Sequence, residues 1–152
     1  CSVNRSLTAL EESEGPATFP RGWVRHAFHD MTLVGRASYL LKHADELGYR
    51  AFEETGRIFT ESFISMRDEL RVSRPEIDAA VEACLAHGAL GARIVGGGFG
   101  GAVMALVKTS RLEETAQAIA QAYAEHGYAE PRFLPMVAGF PADYDWLSEN
   151  FR

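Results

Sequence analysis

Five glycines occupy six consecutive positions of the run Val95-Gly96-Gly97-Gly98-Phe99-Gly100-Gly101-Ala102, between two apolar segments. Glycine loses more chain entropy on ordering than any other residue, so a cluster this dense sacrifices local stability. In return, its backbone N–H groups can converge on an anion with no side chain in the way. Gly96, Gly97, Gly98, Phe99, Gly100 and Gly101 are therefore candidate binding residues for something large or negatively charged that approaches the backbone closely. A tight hairpin needs one or two glycines for its turn, which leaves most of the five unexplained.

The run also satisfies G-x-G-x-x-G through Gly96, Gly98 and Gly101, but that match misleads. In a dinucleotide-binding βαβ unit the last glycine opens a helix whose N-terminus receives the pyrophosphate. Here Ala102-Val103-Met104-Ala105-Leu106-Val107 follows, a short apolar run closed by Lys108 and Thr109 that reads as a strand. Strand, glycine loop, strand is a hairpin with a wide, backbone-lined tip. A second cluster, His26, His29 and Asp30, stands at i, i+3 and i+4, a spacing that can put metal ligands on one helix face. With no cysteine or third histidine at matching spacing, local packing or hydrogen bonding is the expectation, and no metal site is assigned.

An alternation of helices and strands must position these residues. Residues 1–22 are mixed, and 15–20 read as a loop. Over 23–47, Val24, Ala27, Phe28, Met31, Val34, Leu41 and Ala44 recur at three- and four-residue steps, which predicts one long amphipathic helix capped by Gly48. A second helix begins near Arg50, with Phe52, Phe59 and Met66 a heptad apart and Phe63 and Leu70 beside them as core; Glu53, Glu54, Arg57, Glu61 and Asp68 form its charged face. Ser73-Arg74-Pro75-Glu76 reads as a capping box with proline in the first turn, so a third helix runs to His87 and closes at Gly88. Strands at 89–95 and 102–108 flank the glycines. Ser110-Arg111-Leu112-Glu113 repeats the capping pattern and opens a fourth helix ending at Gly127. Residues 132–137 read as one further strand, with Pro135 marking an edge or a bulge. The aromatic tail, with Phe140, Tyr144, Trp146 and Phe151, is suited to packing back onto the domain. This order predicts an α+β fold: an antiparallel or mixed sheet with helices packed on one face, of ferredoxin-like type. Such a layout needs another strand, which residues 1–22 supply only weakly.

Composition sets the class. A chain of 152 residues fits one domain, and a domain of that size buries about 68–70% of its unfolded surface without staples. With 47% hydrophobic and 24% charged residues it reads as an ordinary soluble protein. A net charge of -6 and no cluster of Lys and Arg argue against a nucleic-acid partner. No apolar stretch approaches the ~18 residues of a membrane span. The two cysteines, Cys1 and Cys84, make no disulfide framework, and Cys84 falls on an apolar helical face with Ile77, Val81 and Leu85, so a buried thiol and a reducing cytoplasm are expected.

These residues carry a family resemblance. Gly91-Ala92-Arg93-Ile94-Val95-Gly96-Gly97-Gly98-Phe99-Gly100-Gly101 resembles the third signature motif of the GHMP sugar and small-molecule kinases, in the form galactokinases use. The stretch from Ser62 to Asp78 resembles the upstream helix and turn read as S-x-x-S-L-R-D-D-x-x-V-S-C-P-E-L-D, and Arg25, His26 and Asp30 resemble R-H-x-x-x-E on the helix before it. The likeness runs from about 23 to 137. Met66 stands for leucine, Leu70 for tyrosine, Arg74 for cysteine, Asp30 for glutamate and Val95 for threonine.

The resemblance implies a GHMP kinase C-terminal domain over 1–152, whose N-terminal half, with the phosphate loop, the catalytic aspartate and the sugar-contacting tyrosine, lies outside this chain. Cys1 would match the cysteine after the family's Y-N-x-R stretch. It further implies phosphoryl transfer from ATP, with Mg²⁺, to the C1 hydroxyl of galactose by the whole cytoplasmic enzyme, residues 96–101 forming the cofactor-binding wall of the cleft. No family catalytic position falls in this chain, so the isolated chain is expected to be inactive. Ser65, Arg67 and Asp68 belong to the second motif; they read either as cleft-facing or as surface ion pairing and packing beneath the glycine loop. Two alternatives stay open: a GHMP kinase for another sugar or a sugar acid, and a non-enzymatic ferredoxin-like module that binds a ligand or partner through the glycine tip.

Overall fold

The computed structural model describes residues 21–99 and 101–136. Helix α1 (Arg21–Lys42) breaks at His43, a one-turn helix α2 (Ala44–Leu47) follows, and Gly48, at φ 60°, redirects the chain into α3 (Tyr49–Ser65). The single helix expected over 23–47 is thus two. His43 leaves helical geometry at φ -106° and ψ 20°, and its ring stacks on Tyr39 at 4.3 Å. A π-helical turn (Met66–Leu70) ends α3, after which α4 (Pro75–Ala86), strands β1 (Gly91–Val95) and β2 (Ala102–Leu106), a 3₁₀ turn (Thr109–Arg111) and α5 (Leu112–His126) complete the described fold.

The two strands pair antiparallel, with Gly91 opposite Leu106 and Val95 opposite Ala102. On one face of this hairpin Ala92, Ile94, Val103 and Ala105 pack with Phe63 of α3, Met66 of the π turn, and Ile77, Val81 and Cys84 of α4. Tyr123 of α5 donates a 2.8 Å hydrogen bond to the Glu76 carbonyl and so ties the last helix to α4. The architecture is α+β, as expected, with a two-stranded sheet among the described residues. No helix among them is long and apolar enough to cross a membrane.

Several local expectations fail for identifiable reasons. Residues 132–136 form no strand: Pro131 and Pro135 lack the N–H that a ladder requires, and Leu134 and Met136 stand 83% and 86% exposed. Val137, residues 1–20 of the 1–22 stretch offered for an extra strand, and the aromatic tail lie outside the described residues, while 21–22 open α1. Neither capping box forms. Ser73 Oγ donates to Asp78 Oδ1 at 2.6 Å instead of capping, and α4 starts from Arg74 with Pro75 at its first position. The Ser110 pattern becomes a 3₁₀ turn, and α5 begins two residues later.

The helix faces also differ from the periodic reading. Met31, Val34 and Leu41 are exposed, and Leu33 is the buried residue of α1. On α3, Phe52 is exposed and Phe59 half-buried, whereas Phe63 is buried as expected. The face that goes inside is built of Ala51, Thr55, Gly56, Ile58 and Ser62. Small residues are required there because the backbones of α3 and β1 nearly touch: a Cβ on Gly56 would strike the Leu90 carbonyl, and one on Gly91 would fall inside the Gly56 carbonyl. Thr55 satisfies its buried hydroxyl on the Ala51 carbonyl at 2.7 Å.

Cys84 is buried, as the sequence implies, and burial pushes its thiol from the usual 9.0 up to about 11. The folded state therefore keeps the proton longer than the unfolded chain does. This contribution to stability is full below pH 9 and is lost as pH rises through about 11. The stability difference between wild type and Cys84→Ala should shrink by roughly 2–3 kcal/mol between those limits. Urea titrations of both proteins at pH 8 and 11 check it; a constant difference would sink the assignment.

Candidate functional site

The register Val95 to Ala102 closes the hairpin over residues 96–101. Gly96, Gly98, Phe99 and Gly101 have φ of 80°, 85°, 62° and 119°. A glycine adopts such angles freely, whereas Phe99 carries the strain of a non-glycine residue in the left-handed region. Gly100 lies outside the described residues.

The loop has two kinds of glycine. Gly98 is pressed on the segment after the π turn: a Cβ there would stand 2.5 Å from Val72 Cβ and 2.7 Å from the Val72 carbonyl oxygen. Beside it the Phe99 N–H donates to that carbonyl at 2.8 Å, while Phe99 as a whole stands 66% exposed. Among the described residues, Gly96, Gly97 and Gly101 meet nothing on their Cβ side within 4 Å. One part of the loop is therefore anchored, and the other is bare backbone facing open space. The strand that follows Gly101, in place of a helix, excludes the dinucleotide-fold geometry.

The histidine cluster on α1 is spent on holding α3. His26 Nδ1 lies 3.0 Å from Ser65 Oγ, Asp30 Oδ1 accepts from Ser62 Oγ at 2.5 Å, and His29 Nε2 lies 3.4 Å from Glu61 Oε1. Arg93 of β1 approaches Asp30 at 4.0 Å and donates to Met66 Sδ at 3.9 Å. Each member of the cluster has its own protein partner. Among the described residues no group of three His, Cys, Asp or Glu side chains is placed to hold a metal ion.

Arg67 and Asp68 form a two-pronged pair, Nε to Oδ1 at 2.8 Å and Nη2 to Oδ2 at 3.2 Å, with the guanidinium over the Phe63 ring. That hydrogen bond raises the Arg67 pKa and lowers that of Asp68. Both groups are solvent-facing, so the pair reads as surface ion pairing. A cleft of about 520 Å³ between α1 and the end of α3 is lined by residues that include Arg25, His29, Ser65 and Asp68. No described residue of the glycine loop lines it, and its charged residues already have protein partners, as Arg25 has Glu69 at 3.3 Å and Asp68 has Arg67.

The model of the C-terminal domain of GHMP kinases matches residues 24–129, from α1 through the glycine loop to the end of α5. The chain belongs to the GHMP kinase C-terminal family. Within it, the chain is 37% identical to a galactokinase of Streptomyces coelicolor over 131 residues, 86% of this chain and 32% of that protein. A galactokinase of Mycobacterium tuberculosis is 39% identical over 128 residues, 84% of this chain and 33% of that protein. A galactokinase of Bos taurus is 41% identical over 106 residues, 69% of this chain and 25% of that protein. The chain thus spans about a third or less of these curated relatives. Membership of the GHMP kinase family accounts for the glycine hairpin, the Ser62–Asp78 stretch and the Arg25-His26 helix lying in one matched region. What the sequence did not reveal is the Gly56–Gly91 approach and the Val72 anchor. Isolated glycines in a helix and at a strand start were the available signal.

Proposed function

We propose that this chain is the C-terminal part of a galactokinase, which transfers the γ-phosphoryl group of ATP to the C1 hydroxyl of galactose. The observation that carries this reading is the open backbone face at Gly96, Gly97 and Gly101 beside an anchored Gly98 and Phe99. Similarity to three named galactokinases supports it. Phosphoryl transfer depends on positioning and on stabilising charge spread over the phosphoryl oxygens. Residues 96–101 serve as one wall of the nucleotide cleft, where missing side chains let phosphates and the rest of the parent protein come close.

The donors this wall offers are backbone N–H groups, which fit phosphate oxygens; residues 96–101 contain no carboxylate to ligate a cation. Mg²⁺, when bound with ATP, neutralises phosphate charge, and in this reading its ligands belong to the remainder of the parent protein. The same holds for the sugar contacts and the base, so the partners of this chain are the missing N-terminal half, ATP and galactose. The parent works in the cytoplasm, with neither membrane nor nucleic acid as partner.

The test is sugar-dependent ADP release with Mg²⁺-ATP by the full-length parent, offered galactose and a panel of other sugars. Galactose preference by the parent and no turnover by the purified 152-residue chain are the expected results. Activity on another sugar would place the parent with a different GHMP kinase and direct attention to Val95 and Leu70. No activity on any sugar would favour the ligand-binding module.

A further inference from the structure

We propose that Val72 is the positioning residue of the glycine loop. A loop of five glycines has more conformational freedom than any other composition, and a backbone site binds an anion well only if its donors are already ordered. Val72 supplies that order from outside the loop. Its carbonyl accepts the Phe99 N–H at 2.8 Å, and its side chain fills the space that a Cβ on Gly98 would need. Holding the loop near its middle divides one floppy span into two short arcs, and shorter arcs have fewer conformations to lose.

Val72 is itself held from three sides. Its N–H donates to the Met66 carbonyl at 3.1 Å, closing the π turn, and its side chain is buried in the core cluster. Before it, Arg71 adopts a left-handed conformation at φ 59° and ψ 43°, which turns the chain out of α3. After it, the Ser73–Asp78 hydrogen bond fastens the segment to α4. The carbonyl that receives Phe99 thus stands on a rigid support. Val72 lies under the loop, away from the bare face at Gly96, Gly97 and Gly101, and acts through Gly98 and Phe99.

The experiment compares Val72→Ala, Val72→Thr and Val81→Ala in the full-length protein that carries this chain, reading Phe99 amide hydrogen exchange and the Kd for ATP. Val81 belongs to the same core cluster, so Val81→Ala reports loss of packing alone. Val72→Ala is expected to speed Phe99 exchange at least ~10-fold relative to Val81→Ala and to weaken ATP binding several-fold. Val72→Thr keeps the branched shape while burying a hydroxyl, and should bring both at least part of the way back towards wild type. Should Val72→Ala fail to fold, Gly98→Ala pushes the same two residues apart from the loop side and should give the same changes. Phe99 exchange that is alike in the Val72 or Gly98 variant and in Val81→Ala overturns the proposal. The ATP arm rests on the galactokinase reading: wild type that binds no ATP defeats that reading, and Phe99 exchange still decides the anchor.

Discussion

Gly91→Ala should cost about 3 kcal/mol or more of folding stability, because the new methyl has no direction in which to relax. Its Cβ would fall on the carbonyl oxygen, carbonyl carbon and Cα of Gly56, all backbone atoms of α3. A side chain in the way can change rotamer; a helix backbone can only move as a body. Moving α3 away from β1 would also open the cluster of Phe63, Met66, Ala92 and Ile94 and disturb the π turn beneath the glycine loop. The matched comparison is Gly35→Ala in the interior of α1, where no described residue lies within 4 Å of the new methyl. There the exchange removes backbone freedom from the unfolded chain and should stabilise by up to about 1 kcal/mol. Denaturant titration of both variants reads the contrast. Equal midpoints would mean that α3 and β1 separate by an ångström without cost, contrary to the packing described.

The same contact explains which parts of the fold were legible in the sequence. The hairpin was, because two apolar strands flank a glycine run whose register admits no helix. Helix α4 was, because Pro75 and Gly88 punctuate both ends. The buried face of α3 was not. Periodicity searches for large apolar side chains, and close approach of a helix to a strand selects the opposite, here Ala51, Thr55, Gly56 and Ser62. Phe52 consequently faces outward. Nor was the seam between α1 and α3, which is made by His26 with Ser65 and Asp30 with Ser62. A polar seam of this kind carries no hydrophobic stripe, so Met31, Val34 and Leu41 looked like core while standing on the outside. The Ser73 capping box failed because a serine hydroxyl can be claimed by a neighbouring side chain, here Asp78 five residues on, instead of a backbone N–H.

Within the candidate site the sequence marks the glycines as a group, and the structure separates them into two experiments. Gly98→Val should lower kcat/KM of the complete enzyme by well over ~10-fold, a loss of more than about 1.4 kcal/mol of transition-state stabilisation. Two causes act together. At φ 85° any side chain is strained, and a branched one at this site drives into Val72, which is buried and cannot yield. The loop must lift, and whatever its backbone presents to phosphate moves with it. Gly97→Ala tests the other half of the loop. Gly97 has no left-handed φ and no described residue within 4 Å of its Cβ position, so an alanine should fold with stability changed by less than ~0.5 kcal/mol. If phosphate approaches that bare face, the single methyl should still weaken ATP binding about 10-fold or more, through steric exclusion alone. Normal folding with impaired binding at Gly97, beside impaired catalysis at Gly98, identifies an anchored loop that cradles a ligand. Unchanged kinetics in both variants would instead assign the glycines to turn geometry, and the open face of the hairpin would need another explanation.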